Sequence, residues 1–174
     1  MTICVALKSE DGVWIASDSR VTSGSGMIYP GGGSKWFAYN GVLLALAGND
    51  RIRHILPYAV SGSFPSSPES VAKTLRTAVK TDGWNEDADR GEPVDYCYDA
   101  IIVGEQRVIY AHGSGAFLDF KDELCAIGTG RPFAYGVAHA LHGMAPEIIV
   151  RTAVEAACRY DSSCGGEIFV ELVK

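Results

Sequence analysis

The chain has 174 residues, of which 47% are hydrophobic and 21% are charged, and its formal net charge is −6 at pH 7. This length and composition are typical of one globular domain, here residues 1–174, that buries a sizeable core. The acidic charge balance argues against nucleic acid as a partner, and no apolar run is long enough to predict a membrane span. The amino terminus lacks the pattern of a signal peptide, so we expect a cytoplasmic protein.

Cysteine and histidine usage argues against a metal site. The five cysteines are odd in number and none forms a Cys-x-x-Cys pair, which is typical of a reducing compartment where cysteines act as small buried hydrophobic residues. The four histidines are scattered, and their spacing does not resemble that of a zinc site. We therefore expect neither a metal ion nor a cofactor.

The first half of the chain predicts two strand hairpins followed by two helices. Asp11-Gly12 and Asn40-Gly41 are strong hairpin turns between apolar runs, and they predict strands at 2–7, 13–18, 35–39 and 42–47. The glycine-rich tract between the hairpins lacks the spacing of a phosphate-binding loop, so we predict a loop there. Helix-start residues and apolar stripes predict helices at 49–59 and 66–79, and the acidic stretch 81–95 is predicted to be a solvated loop.

The second half of the chain repeats this order. We predict strands at 98–103, 107–111, 116–120 and 124–127, helices at 133–142 and 146–161, and a last strand at 168–173. Hairpins thus alternate with helix pairs, in contrast to single strand–helix–strand crossovers. This order predicts an α+β fold, a four-layer αββα sandwich of two antiparallel sheets flanked by helix pairs.

Thr2 follows the initiator methionine directly, and a small second residue favours removal of that methionine. A terminal threonine carries a nucleophilic hydroxyl beside a free α-amine, whose pKa of roughly 7.7–8.0 lets it accept a proton near neutral pH. Thr2 taken alone is more often only the first residue of a strand. The pairing nevertheless makes it a candidate N-terminal nucleophile.

Such a nucleophile needs a cation that keeps its amine neutral, a counter-charge and an oxyanion donor. Lys35 directly follows the glycine-rich tract; two unit charges about 4 Å apart at an effective dielectric of 20 interact by about 4 kcal/mol. Asp18, at the end of the second predicted strand, could hold Lys35 charged and oriented. Gly48, between a strand and a predicted helix start, could turn its N–H to the reacting carbonyl. Each could also be an ordinary turn or surface residue.

Six motifs in order resemble those of the proteasome β-subunit and HslV group of N-terminal nucleophile hydrolases. They are Met1-Thr2 before a strand, Ala16-Ser17-Asp18-Ser19-Arg20, Lys35, Ala47-Gly48, Ala126-Ile127-Gly128-Thr129-Gly130 and Asp161-Ser162-Ser163-Cys164-Gly165-Gly166. Each motif alone is weak, but their order and spacing over nearly the whole chain are specific. Thr2 directly after Met1, without a long propeptide, is more similar to HslV-type and other bacterial homologues than to archaeal or eukaryotic β-subunits.

The resemblance implies a threonine-type endopeptidase that degrades unfolded proteins or peptides inside a homo-oligomeric double ring of twelve or fourteen subunits, often fed by an ATP-dependent unfoldase. It implies Thr2 as the nucleophile, with Asp18 and Lys35 setting its charge state and Gly48 as the oxyanion donor. The network beside the terminal amine would contain Thr129, Asp161 and Cys164, and the substrate groove would be lined by Val21, Thr22, Leu46 and Asp50.

Two departures from the family pattern bear on activity. Thr129 stands where the family usually has serine, and Cys164 stands where proteasome subunits have serine, although a thiol is a weaker hydrogen-bond partner than a hydroxyl. Cys164 could also be a rival nucleophile, and retention of Met1 would leave the Thr2 nitrogen in an amide. Two alternatives therefore stay open: a catalytically weak ring protein with a binding role, and an amidohydrolase that acts on a small substrate.

Overall fold

The computed structural model describes residues 2–22, 27–29, 32–48, 65–81 and 98–174. The strands of this part are β1 (Ile3–Ser9), β2 (Gly12–Asp18), β3 (Val21–Thr22), β4 (Ile28–Tyr29), β5 (Trp36–Tyr39), β6 (Val42–Gly48), β7 (Tyr98–Gly104), β8 (Arg107–His112), β9 (Phe117–Phe120), β10 (Cys125–Gly128) and β11 (Ile168–Val173). Its helices are α1 (Pro68–Thr81), α2 (Arg131–Ala140) and α3 (Pro146–Tyr160).

Two antiparallel sheets form the centre of the molecule. The first sheet has the strand order β10-β1-β2-β11, and the second has the order β5-β6-β7-β8-β9. In the first sheet, Ile3 pairs with Gly128 on one side of β1, and Asp18 pairs with Ile168 on the far side of β2. This register brings the start of β1, the end of β2 and the end of β10 to the same edge of the sheet.

Both faces of each sheet are covered, so the central strands are apolar on both sides. Along β1, Ile3 and Val5 pack toward α2 and α3, whereas Cys4 and Ala6 pack against the second sheet, as expected from the two-residue period of a strand. The continuous apolar run of β1 is therefore the signature of a strand buried between layers. Burial of such side chains contributes about 1.5–3 kcal/mol each.

Helices cover the outer faces and complete the predicted αββα layering. The apolar stripe of α1, which contains Val71, Leu75 and Ala78, packs on the second sheet. On the first sheet, Ala134 of α2 and Ala153 of α3 are fully buried small residues, which allow a close approach of the helices. No helix in the described part of the chain is both long and apolar enough to cross a bilayer.

The structure differs from the sequence prediction at the first hairpin turn, which is Glu10-Asp11 and not Asp11-Gly12, and in the tract between the hairpins. Val21–Thr22 and Ile28–Tyr29 pair as a two-stranded ribbon within the tract that was predicted to be a loop. Strands of two residues are too short to show an alternating pattern, so no periodic signal marks them. The predicted helix at 49–59 and nearly all of the predicted loop at 81–95 lie outside the described residues.

Candidate active site

Thr2 and Asp18 meet where β1 begins and β2 ends. The Thr2 hydroxyl donates a hydrogen bond to Asp18 Oδ1 over 2.8 Å. Thr2 is 4% exposed and Asp18 is fully buried. A hydrogen bond from a hydroxyl to a charged carboxylate is stronger than one between neutral groups, so this contact fixes the direction of the hydroxyl.

Both oxygens of the buried Asp18 carboxylate are occupied by donors. Besides the Thr2 hydroxyl, Oδ1 accepts the backbone N–H of Ile3 over 3.1 Å, and Oδ2 accepts that of Gly165 over 3.0 Å. A buried charge needs such partners to offset its loss of hydration. The contact with Gly165 also attaches the segment after α3 to the end of β2, where Arg20 N–H bonds to the Gly165 carbonyl.

Lys35 lies directly ahead of β5 and is only 7% exposed. Its backbone N–H donates to the Ser17 hydroxyl over 3.1 Å, a contact that links the second sheet to the first. Its ammonium donates to the backbone carbonyl of Arg20. Asp18, expected as the counter-charge of Lys35, accepts hydrogen bonds from the Thr2 hydroxyl and two backbone N–H groups. Lys35 and Thr2 are thus both attached to the segment 17–20, but through different partners.

The described residues expected to flank the site lie on β3 and β6. Gly48 ends β6 with φ of +118°, a conformation that L residues rarely adopt, and it is exposed. Val21 and Thr22 are half-buried in β3, and the Thr22 hydroxyl is buried without a hydrogen-bond partner in the described part of the chain. Leu46 is 8% exposed and packs in the cluster beneath α1. Asp50, like the helix expected to assist Gly48, lies outside the described residues.

Asp161, directly after α3, is the centre of a second polar group. Its Oδ1 accepts the backbone N–H of Ser163 over 2.8 Å, and its Oδ2 accepts the thiol of Cys164 over 3.5 Å. The Thr129 hydroxyl lies 4.0 Å from the Cys164 sulfur. Partial burial by itself raises the pKa of Asp161, but hydrogen bonds from Thr129, Ser163 and Cys164 outweigh it and hold the pKa below its usual value. The carboxylate is therefore charged at neutral pH.

Cys164 is fully buried beneath this network. Burial first, and then the negative charges of Asp18 and Asp161, raise the pKa of its thiol to about 12. The thiolate is the reactive form of cysteine, and at pH 7 it would be about one part in 100,000 of such a thiol. This protonation state disfavours Cys164 as a rival nucleophile and is consistent with a hydrogen-bonding role.

The turn between β10 and α2 packs against the backbone of Thr2. Gly128 has φ of +93°, and a Cβ at this position would lie 2.0 Å from the Thr2 carbonyl oxygen. Gly130 donates its N–H to the same oxygen over 3.5 Å. A Cβ on Gly130 would lie 3.0 Å from that of Ile3 and 3.1 Å from the Cys164 sulfur. Both glycines are therefore required by close contact with the start of β1.

Sequence reasoning assigned no role to three residues that hold this site together. The Ser17 hydroxyl binds Lys35, the Arg20 guanidinium donates to the Ser162 carbonyl over 2.9 Å, and Gly165 binds Asp18. Their membership in two motifs was the only signal, because their partners lie far away in the sequence. Within the described ranges, no group of three or more His, Cys, Asp and Glu side chains has an arrangement suited to a metal ion.

Comparison with known proteins finds relatives in sequence and in fold. The chain is 28% identical over 163 residues to the ATP-dependent protease subunit HslV of Caldicellulosiruptor saccharolyticus, covering 90% of this chain and 89% of that protein. Thiobacillus denitrificans BPH, also solved in complex with epoxomicin, superposes with a TM-score of 0.75 at 17% identity, over 99% of this chain and 98% of its own. HslV from Trypanosoma brucei superposes with a TM-score of 0.70 at 20% identity, over 97% of both chains. No protein-family model matches the chain.

The fold is that of the proteasome-like N-terminal nucleophile hydrolases. The resemblance seen in the sequence motifs is thereby confirmed, both by the curated HslV relatives and by the structural neighbours. In this proteasome-like chain, Thr2, Asp18 and Lys35 meet around the end of β2, and Thr129, Asp161 and Cys164 form the adjoining polar group.

Proposed function

We propose that the chain is the subunit of a threonine-type endopeptidase in which Thr2 is the nucleophile once Met1 has been removed. The observation that carries this proposal is the buried hydrogen bond from the Thr2 hydroxyl to Asp18, with the buried Lys35 attached to the same segment. Activation of a terminal threonine requires a hydroxyl held in place and a cation near its amine, and here both residues are attached to the segment 17–20. Similarity to HslV subunits supports a protease.

In the first chemical step, the Thr2 oxygen attacks the scissile carbonyl carbon, and the hydroxyl proton leaves its hydrogen bond to Asp18 and passes to the Thr2 α-amine. The positive charge of Lys35 disfavours a second nearby cation, so it keeps the amine neutral and able to accept the proton. Asp18 orients the hydroxyl and offsets the charge of this region. The N–H of Gly48, at the exposed end of β6, is proposed to stabilise the oxyanion of the tetrahedral intermediate.

In the second step, the tetrahedral intermediate collapses to an ester on Thr2. The C–N bond breaks, and the departing amine takes the proton held by the α-amine. Water then attacks the ester carbonyl, the α-amine accepts a proton from that water, and the Thr2 hydroxyl leaves with it. Thr129, Asp161 and Cys164 are proposed to hold the amine in place, and Val21, Thr22, Leu46 and Asp50 to line the groove for an unfolded protein or peptide.

We propose further that copies of the chain assemble as a cytoplasmic homo-oligomeric double ring of twelve or fourteen subunits with an ATP-dependent unfoldase as partner. The curated relatives are named as ATP-dependent protease subunits. Large apolar side chains are exposed in separate regions of the molecule, which supports head-to-tail contacts between neighbouring copies, the kind of contact from which rings are built. They are Met27, Ile28 and Tyr29 on the ribbon, Phe117 and Leu118 on β9, and Met144, Ile148 and Tyr160 around α3.

Substitution of the nucleophile tests the proposal. Thr2→Ala removes the hydroxyl, and we expect peptidase activity to fall by roughly a thousandfold or more while assembly is unchanged. The matched control is Thr2→Ser, which keeps the hydroxyl and is expected to stay within about tenfold of wild type. The activity of wild type, Thr2→Ala and Thr2→Ser is measured by peptide hydrolysis, and their assembly by size-exclusion chromatography. Full activity in Thr2→Ala would contradict the proposal.

The second candidate is a catalytically weak ring protein with a binding role. It is favoured by the thiol of Cys164, a weak donor that lies 3.5 Å from Asp161 where a hydroxyl would bind more strongly. Protein from which Met1 has been removed would then bind unfolded polypeptides without cleaving them. Measured binding of an unfolded substrate with no hydrolysis would favour this candidate over the peptidase.

A further inference from the structure

An ion pair joins the two sheets at the end of the sandwich where Thr2 lies. Asp99 is the second residue of β7 in the second sheet, and Arg131 is the first residue of α2, which packs on the first sheet. Asp99 Oδ2 lies 3.6 Å from Arg131 Nη1. Asp99 pairs across the sheet with Ala47, the neighbour of Gly48. The pair therefore lies next to the strand end that carries the proposed oxyanion donor.

Asp99 is held firmly on its own sheet. The Tyr110 hydroxyl donates to Asp99 Oδ1 over 2.6 Å, and the imidazole Nε2 of His112 lies 4.0 Å from the same oxygen. Burial first, and then the hydrogen bond to Asp99, raise the pKa of Tyr110, so the hydroxyl stays a neutral donor. Asp99 is 21% exposed and lies on the same strand face as Ile101, which packs between the sheets. Its carboxylate thus ends the apolar layer between the sheets.

Arg131 is connected to Thr2 through a short and tightly packed turn. It follows Gly130, whose N–H donates to the Thr2 carbonyl and which leaves no room for a side chain between Ile3 and the Cys164 sulfur. Gly128, at the start of the turn, lies in contact with the same Thr2 carbonyl. A displacement of Arg131 would therefore shift residues 128–130, and with them the backbone of Thr2 that they contact.

We propose that Asp99 and Arg131 are positioning residues whose ion pair holds the turn 128–130 against Thr2. The pair fixes the turn to the second sheet, so that nucleophile and oxyanion donor, which come from different sheets, keep a constant relative position. The catalytic consequence rests on the proposed peptidase function. The mechanical link between Asp99 and the turn does not depend on it.

A double-mutant cycle tests the link, with Asp99→Asn, Arg131→Gln and both together. Asparagine at 99 keeps an oxygen acceptor for the Tyr110 hydroxyl and removes only the charge that attracts Arg131. Arg131→Lys is the conservative variant that keeps the cation. The control is Arg107→Gln, which breaks the ion pairs of Arg107 with Asp119 and Glu69 at the opposite end of β8.

Hydrogen exchange over a peptide containing Gly130 and steady-state peptide hydrolysis are the two measurements. We expect faster exchange and a kcat lowered by about 3- to 10-fold, with little change in KM, in both single variants. Because the two residues act through one contact, the double variant should be no worse than either single variant. Arg131→Lys should restore most of the loss, and Arg107→Gln should behave like wild type in both measurements.

Wild-type exchange in both single variants, or losses that add in the double variant, would overturn the proposal. An equal decrease in kcat and an equal increase in exchange in Arg107→Gln would also overturn it, because the effect would then be general destabilisation. If wild-type protein neither cleaves peptides nor reacts at Thr2, the peptidase function fails. The exchange measurements would still decide whether the ion pair holds the turn.

Discussion

At the residue scale, Asp18 is the group that determines how Thr2 is presented. Its carboxylate has no exposed surface and accepts one hydroxyl and two backbone N–H groups. Removal of any of these donors would leave part of a buried charge unsatisfied, at a cost of about 1–3 kcal/mol or more. The same contacts fix the Thr2 side chain and the segment 161–166, so stability and geometry of the site are linked.

The role of Cys164 can be tested by restoring an oxygen. We expect Cys164→Ser to keep peptidase activity within about threefold of wild type or to raise it, because a hydroxyl donates to Asp161 more strongly than a thiol. Cys164→Ala should lower the free energy of unfolding by about 0.5–1.5 kcal/mol, since Asp161 loses a donor. Kinetics and thermal unfolding of both variants measure these effects. Abolished activity in Cys164→Ser, with an intact fold, would mean that the thiol itself reacts.

At the element scale, the start of β1, the end of β2 and the turn after β10 depend on one another. The pairing of Ile3 with Gly128 brings the turn to Thr2, and the contact of Asp18 with Gly165 adds the segment after α3. Each of these elements contributes backbone as well as side-chain groups. A change in any one of them would therefore move Thr2, the proposed nucleophile, even where the Thr2 side chain itself is unaltered.

Gly128→Ala is predicted to disrupt this assembly of elements. The new Cβ would lie 2.0 Å from the Thr2 carbonyl oxygen, at a φ of +93° that alanine adopts only with strain. We expect a loss of roughly 1–3 kcal/mol in stability and severe loss of activity. The control is Gly136→Ala on α2, where a Cβ meets nothing within 4 Å and alanine should add up to about 1 kcal/mol. Equal thermal stability of the two variants would contradict the prediction.

The parts of this fold that could be predicted from sequence are those with local signals. Asn40-Gly41 forms the turn of the second hairpin, and both residues adopt the positive φ values that such a turn requires. The first hairpin forms where it was predicted, but its turn is Glu10-Asp11, because Gly12 already pairs with Ser9 as the first residue of β2. The ribbon of β3 and β4 has no such signal. Likewise, the hydrogen bond of Thr2 with Asp18 and the ion pair of Asp99 with Arg131 join side chains that only the folded sheets bring together.

At the scale of the whole molecule, the site lies where both sheets and the segment after α3 meet. The centre of the layer between the sheets is apolar, with Ile15, Ile101 and Ile127 fully buried, and polar groups lie at the end that carries Thr2 and Asp99. Water exclusion along this layer strengthens the electrostatic contacts at its end. The rigid sandwich thus provides the fixed geometry that an N-terminal nucleophile requires.

The measurement that tests the central claim most directly is the intact mass of the purified protein before and after incubation with an epoxyketone inhibitor. This warhead forms bonds with both the hydroxyl and the free α-amine of a terminal threonine. We predict the loss of one methionine and one stoichiometric adduct, which Thr2→Ala should abolish. Protein that has lost its methionine, is folded and forms no adduct would contradict Thr2 as the nucleophile.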